Sequence, residues 1–106
     1  MSLSYGWEKL HLAVDGAATS DSTLQDRLAD AYVYHIIHVA PENVTPEIWQ
    51  RIKTLAGVLT SATAKGNEGT VKATTSLMDD LEATKWLHEI VSLYDSICEA
   101  YYVSLK

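Results

Sequence analysis

The stretch from Thr45 to Ala62, TPEIWQRIKTLAGVLTSA, carries the clearest structural signal in the chain. Thr45 suits a helix N-cap, Pro46 suits the first helical position because it has no N–H to leave unbonded, and Glu47 complements the positive end of the helix dipole. We expect the helix to end at Lys65-Gly66, where glycine favours a left-handed stop. Its apolar residues recur at the spacing of one helical face, which predicts a helix packed on a core through a single stripe. The stripe consists of Ile48, Ile52, Leu55, Ala56, Leu59 and Ala62.

Three further segments show helical periodicity, and none alternates with the period of a strand. Residues 3–18 predict a first helix, Thr23–Ala40 a second helix that Pro41 ends, and Asp80–Val103 the last helix. Residues 70–77 are ambiguous between a short helix and a loop, because their Thr and Ser content gives weak helix propensity. The sequence therefore predicts an all-α fold, a single domain over residues 1–106. We expect a compact bundle of four long antiparallel helices, with one short helix as an optional addition.

Composition narrows the classes of function. The chain has 106 residues, of which 47% are hydrophobic and 21% charged, as in ordinary globular domains. The formal net charge of -6 argues against a nucleic-acid binder, which needs clustered Lys and Arg. No apolar run approaches the ~18 residues of a membrane span, and the N-terminus lacks the pattern of a signal peptide. We therefore expect a cytoplasmic protein with neither nucleic-acid nor membrane partners.

The second predicted helix carries the most informative anomaly. Val33, Ile36 and Ile37 lie on the side away from its leucine-bearing face, and the segment Ala31–Ala40 is apolar nearly all round. A helix of this kind is buried on every side. It is either the centre of the bundle or a surface that a second copy or a partner covers. Both interpretations remain open on the sequence alone.

Aromatic usage adds two candidates for an interface. The chain has three Trp and six Tyr but no Phe. Tyr and Trp are enriched at interfaces, where one end of the ring stays in contact with water. For Tyr101 and Tyr102 near the C-terminus, an interface and a core position are equally compatible with the sequence.

The sequence contains few residues suited to metal binding or catalysis. His35 and His38, three residues apart, with His11 from the first helix, are the only candidates for a metal site. The carboxylates of a di-iron bundle are missing, because Glu8 and His11 supply Glu-x-x-His spacing only once. Cys98, the single cysteine, lies in an apolar stripe with no base in sequence to activate it. We therefore expect a hydrogen-bonded structural role for His35, surface or edge positions for the other histidines, no metal or cofactor and no catalytic residue.

Acidic residues are concentrated around the last helix. They have two interpretations: a solvated helix surface that maintains solubility, or a negative face on which a basic partner docks. The candidates for this face are Asp79, Asp80, Glu82, Glu89, Asp95 and Glu99.

Three stretches carry a resemblance to known proteins: STLQDRLADAY at residues 22–32, NEGTVKAT at residues 67–74, and IVSLYD at residues 90–95. Their arrangement resembles small bacterial all-helical proteins of about this length that have no assigned function. The resemblance covers most of the chain and implies a bacterial, cytoplasmic origin. It supplies no active-site residue.

Two hypotheses of function follow. The first is a non-enzymatic, acidic helical protein that acts through protein–protein interaction, as a homodimer or as an inhibitor, immunity or adaptor-like protein. The alternative is a small-molecule or metal-binding helical bundle that uses His35, His38 and His11.

Overall fold

The computed structural model describes residues 2–64 and 69–106. Helices make up 79% of these residues, and no strand occurs among them, which confirms the all-α prediction. Two single 3₁₀ turns, at Ile36–His38 and Pro41–Asn43, separate the second and third α-helices. The α-helices are α1 (Leu3–Thr19), α2 (Leu24–Tyr34), α3 (Pro46–Leu59), α4 (Gly69–Thr75) and α5 (Asp80–Ser104).

The 25-residue helix α5 is the central helix of the fold, and α1, α2 and α3 all pack against it. The helix α1 lies along it in the opposite direction, since Trp7 contacts Tyr101 and His11 contacts Tyr94. One continuous core joins α1, α2, α3 and α5, with Leu10, Leu28, Leu55 and others fully buried in it. The prediction of four long helices is not confirmed, because α2 has only 11 residues and α4 only 7.

The second helix ends six residues earlier than predicted. It stops at Tyr34, because His35 leaves the helical conformation with φ -130° and ψ -63°. A 3₁₀ turn follows, and it carries Ile36 into the core, where Ile36 is 1% exposed. Val39, in extended backbone, is 6% exposed. Burial of these two side chains therefore determines the break, whereas Pro41 merely begins the next 3₁₀ turn.

The third helix is also shorter than predicted, ending at Leu59 instead of Lys65-Gly66. The Thr60 and Ser61 hydroxyls donate to helix carbonyls, and the backbone N–H of Ala62 donates to Thr74 Oγ1 over 3.0 Å. These bonds turn the chain toward α4. The predicted stop at Lys65-Gly66 lies outside the described residues.

The optional short helix is present as α4, and apolar and Thr side chains in it and just after it are buried. Val71, Thr74 and Met78 are 9%, 5% and 8% exposed. Within the part of the chain that the structure describes, no helix combines the length and apolarity needed to cross a membrane.

Candidate functional site

The exposed apolar residues at the end of α2 form the first candidate surface. Val33 and Ile37 are 41% and 51% exposed, and Tyr34 is 64% exposed. We call these three residues the α2-end patch. Ile36, which the sequence grouped with Val33 and Ile37, belongs to the core because the 3₁₀ turn rotates it inward. The grouping of Ile36 with the interface residues is therefore wrong for the folded chain.

The two C-terminal tyrosines also differ in how far they are exposed. Tyr101 is partly buried against Trp7, with ring centroids 6.2 Å apart. Tyr102 is 64% exposed, and its ring lies 5.0 Å from Lys106 Nζ. Tyr102 therefore retains the exposure that an interface role requires, whereas Tyr101 contributes to intramolecular packing.

The three candidate metal ligands serve different contacts. His11 stacks on Trp7 at a centroid distance of 5.1 Å, and its Nδ1 lies 3.4 Å from the Tyr94 hydroxyl. His35 lies partly buried beside α1, whereas His38 is exposed on the 3₁₀ turn. In residues 2–64 and 69–106, no three His, Cys, Asp or Glu side chains converge as a metal site. The arrangement therefore offers no support for the metal-binding alternative.

The acidic residues of α5 are partly engaged by the fold itself. Asp79 caps the helix by accepting the Glu82 N–H over 2.8 Å, and Asp80 accepts the Gln25 amide over 3.0 Å. Glu89 pairs with Arg51. Glu82, Asp95 and Glu99 are exposed, and Asp79 and Asp80 are exposed as well. Of the six candidates for an acidic face, Glu89 is therefore the one that is partly buried and ion-paired, and the other five stay exposed.

Arg51 connects α3 to α5 through a network that the sequence analysis missed. Its Nη2 donates to Glu89 Oε1 and to the Ser92 hydroxyl, each over 2.8 Å, and its Nε donates to Glu89 Oε2 over 3.1 Å. Its Nη1 donates to the Ser96 hydroxyl over 3.1 Å. These hydrogen bonds to Glu89 also raise the pKa of Arg51. The sequence shows only that Glu89, Ser92 and Ser96 share one helical face; that Arg51 of α3 packs against this face is decided by the tertiary structure.

We expect a measurable coupling between Arg51 and Glu89. A double-mutant cycle with Arg51→Ala and Glu89→Ala should give a coupling energy of about 1 kcal/mol, because the bidentate pair is only partly screened by solvent. The more exposed pair of Lys72 and Asp26, 3.4 Å apart, is the matched control and should give no more than about 0.5 kcal/mol. Equal couplings in urea unfolding would contradict a special role for Arg51.

A cavity of about 190 Å³ lies between α1 and α2. The helix α1 lines it with small residues, among them Ala13, Gly16 and Ala17. The helix α2 and its C-cap line it with polar side chains. A cavity with one wall of small residues and one of polar residues was not evident from the sequence. These polar residues are Arg27, Asp30, Tyr34 and His35.

Comparison with protein-family models, with curated proteins and with solved structures finds no match to this chain. The resemblance to small bacterial helical proteins therefore stays a prediction. The candidate surfaces have to be interpreted from their own chemistry.

Proposed function

We propose that this protein is a non-enzymatic interaction protein that associates with a second copy of itself through the α2-end patch. The observation that carries the proposal is the exposure of Val33, Tyr34 and Ile37, which is 41%, 64% and 51%. Large apolar side chains grouped on the surface of a soluble domain are typical of interaction sites. The inhibitor, immunity and adaptor-like roles predicted from the sequence are variants in which another protein covers the same patch.

The charge distribution permits a second copy as the occupant of this patch. The chain carries a net charge of -6, so two copies repel each other over most approaches. The segment Ala31–Ala40 contains no Asp, Glu, Lys or Arg. Two copies that meet through this segment bring no like charges together there. A two-fold dimer, in which the patch meets itself, is the simplest assembly of this kind.

A charge in the patch should dissociate the assembly without unfolding the protein. Val33→Glu and Ile37→Glu both place a carboxylate at a half-exposed position, where water still solvates it. We expect sedimentation equilibrium to show a concentration-dependent dimer for the wild type and a monomer for both variants. Their far-UV circular dichroism should match that of the wild type.

Two matched controls sharpen this experiment. Ile36→Glu, one residue away but 1% exposed, buries an unpaired carboxylate and should unfold the chain. Thr84→Glu, on an exposed position of α5, should leave both association and helicity unchanged. A wild type that stays monomeric at every concentration would overturn self-association, as would dimers that persist in both patch variants.

The bacterial origin and the cytoplasmic location predicted from the sequence belong to the same proposal. A homodimer or partner-binding protein of this size needs neither a cofactor nor a catalytic residue.

A further inference from the structure

The cavity between α1 and α2 combines a small-residue wall with a charged wall. On α1, Gly16 leaves open space, since the nearest atom to a Cβ built there is His35 Nε2 at 3.9 Å. On α2, Arg27 and Asp30 place opposite charges one helical turn apart at the same cavity. The volume of about 190 Å³ is below the range of drug-sized ligand pockets, so the cavity suits a small metabolite.

A hydrogen bond to the main chain orients the guanidinium of Arg27 and occupies its Nε donor. Its Nε donates to the Ser22 carbonyl over 2.9 Å, which fixes the plane of the group. Across the described ranges, no protein acceptor bonds its Nη1 or Nη2, and no carboxylate lies within ion-pair distance of it. A guanidinium with two free parallel N–H groups is matched to a carboxylate, which it binds bidentately.

The other groups at the cavity set the charge of the ligand. Asp30 carries a negative charge and does not form an ion pair with Arg27. Burial, together with the nearby Lys9 and His38, lowers the pKa of His35, so its imidazole is neutral at pH 7. The two charged residues that line the cavity therefore sum to zero. A simple anion would be repelled by Asp30, and a simple cation would be repelled by Arg27.

We propose that this cavity binds a small zwitterion of the free amino-acid class, with the ligand carboxylate on Arg27 and the ligand ammonium on Asp30. Tyr34 belongs both to the cavity and to the α2-end patch, but the inference does not depend on self-association. Binding of a metabolite and dimerisation are measured separately, so either can fail without the other.

The test is a nuclear magnetic resonance titration of the full chain with a size series from glycine through L-valine to L-leucine. Isovalerate, which is L-valine without its ammonium, and isobutylamine, which is L-valine without its carboxylate, are the matched analogues. We expect at least one amino acid to shift the amides of Gly16, Ala17 and Arg27 saturably. We expect each analogue to bind about tenfold more weakly or worse, because each loses one charge-assisted contact.

Variants separate this site from general surface binding. Gly16→Leu places a side chain in the cavity, and Arg27→Gln removes the guanidinium; both should reduce binding at least about tenfold with unchanged circular dichroism. Gly57→Leu is the control, because Gly57 lies on α3, where a Cβ would meet none of the residues that the structure describes within 4 Å. It should bind like the wild type.

Three outcomes would overturn the proposal. One is the absence of saturable shifts for every amino acid up to its solubility limit. The second is equal binding of L-valine and its two analogues, which would indicate no charge recognition. The third is unchanged binding by folded Gly16→Leu and Arg27→Gln, which would place the ligand elsewhere.

Discussion

Leu55→Ala and Leu59→Ala should each lower the free energy of unfolding by about 2–5 kcal/mol. Both leucines are 0% exposed and lie on the apolar stripe of α3. Each substitution removes buried methyl groups and leaves a cavity, because the surrounding helices relax only partly. Urea unfolding followed by far-UV circular dichroism measures the change.

Lys53→Ala is the control for the leucine variants. Lys53 is exposed on the same helix, and its substitution should change the free energy of unfolding by no more than about 0.5 kcal/mol. Losses of similar small size for Leu55→Ala and Leu59→Ala would mean that α3 presents a different face to the core.

Gly6→Ala should destabilise the protein by about 2–3 kcal/mol, although alanine is the better helix former. Gly6 is buried in α1 where the segment after α2 crosses it, and a Cβ built at Gly6 would overlap the carbonyl oxygen of Asn43. That Cβ would also lie 3.0 Å from Val44 Cγ1, and Val44 is fully buried. A backbone carbonyl cannot rotate out of the way as a side chain can, so the two segments must separate. Thermal and urea unfolding both report the loss.

Gly57→Ala provides the matched control within the same chain. Gly57 is also helical, but no described residue beyond its own helix neighbours lies within 4 Å of a Cβ built there. The substitution should stabilise the protein by about 0.5–1 kcal/mol, the ordinary gain from removing a helical glycine. If Gly6→Ala were equally stabilising, the close approach of α1 to Asn43 would be refuted.

Helix starts were predictable because their causes are local. Thr45 accepts the Ile48 N–H over 3.4 Å, and Asp79 accepts the Glu82 N–H over 2.8 Å. Such a cap needs only residues three positions apart, so the sequence contains the whole interaction. The expected ranges of α1 and α5 agree with the structure to within one residue at each end.

The ends of α2 and α3 were less predictable because distant residues determine them. The end of α3 depends on Thr74, whose hydroxyl accepts the Ala62 N–H from a position 12 residues away. The end of α2 depends on the space available to Ile36 and Val39 in the core. A periodic apolar pattern cannot reveal this, since both a continued helix and a 3₁₀ turn place apolar residues in that segment.

The candidate surfaces also have some features that the sequence shows and others that only the tertiary structure determines. Apolar character at Val33, Ile36 and Ile37 was evident in the sequence, but only the turn at His35 separates the buried Ile36 from its two exposed neighbours. The pairing of Arg51 with Glu89 joins residues 38 positions apart on different helices. The cavity beside Arg27 depends on the spacing between α1 and α2.

By itself, therefore, the sequence determined the helical class, the helix starts and the buried stripe of α3. These features follow from hydrogen bonds and periodicities that extend over a few residues. Only the tertiary structure decided where α2 and α3 end, which apolar residues remain exposed, and which charged groups face the cavity. Those features depend on how helices far apart in the chain pack together, because burial and ion pairing are set by neighbours that local sequence does not specify.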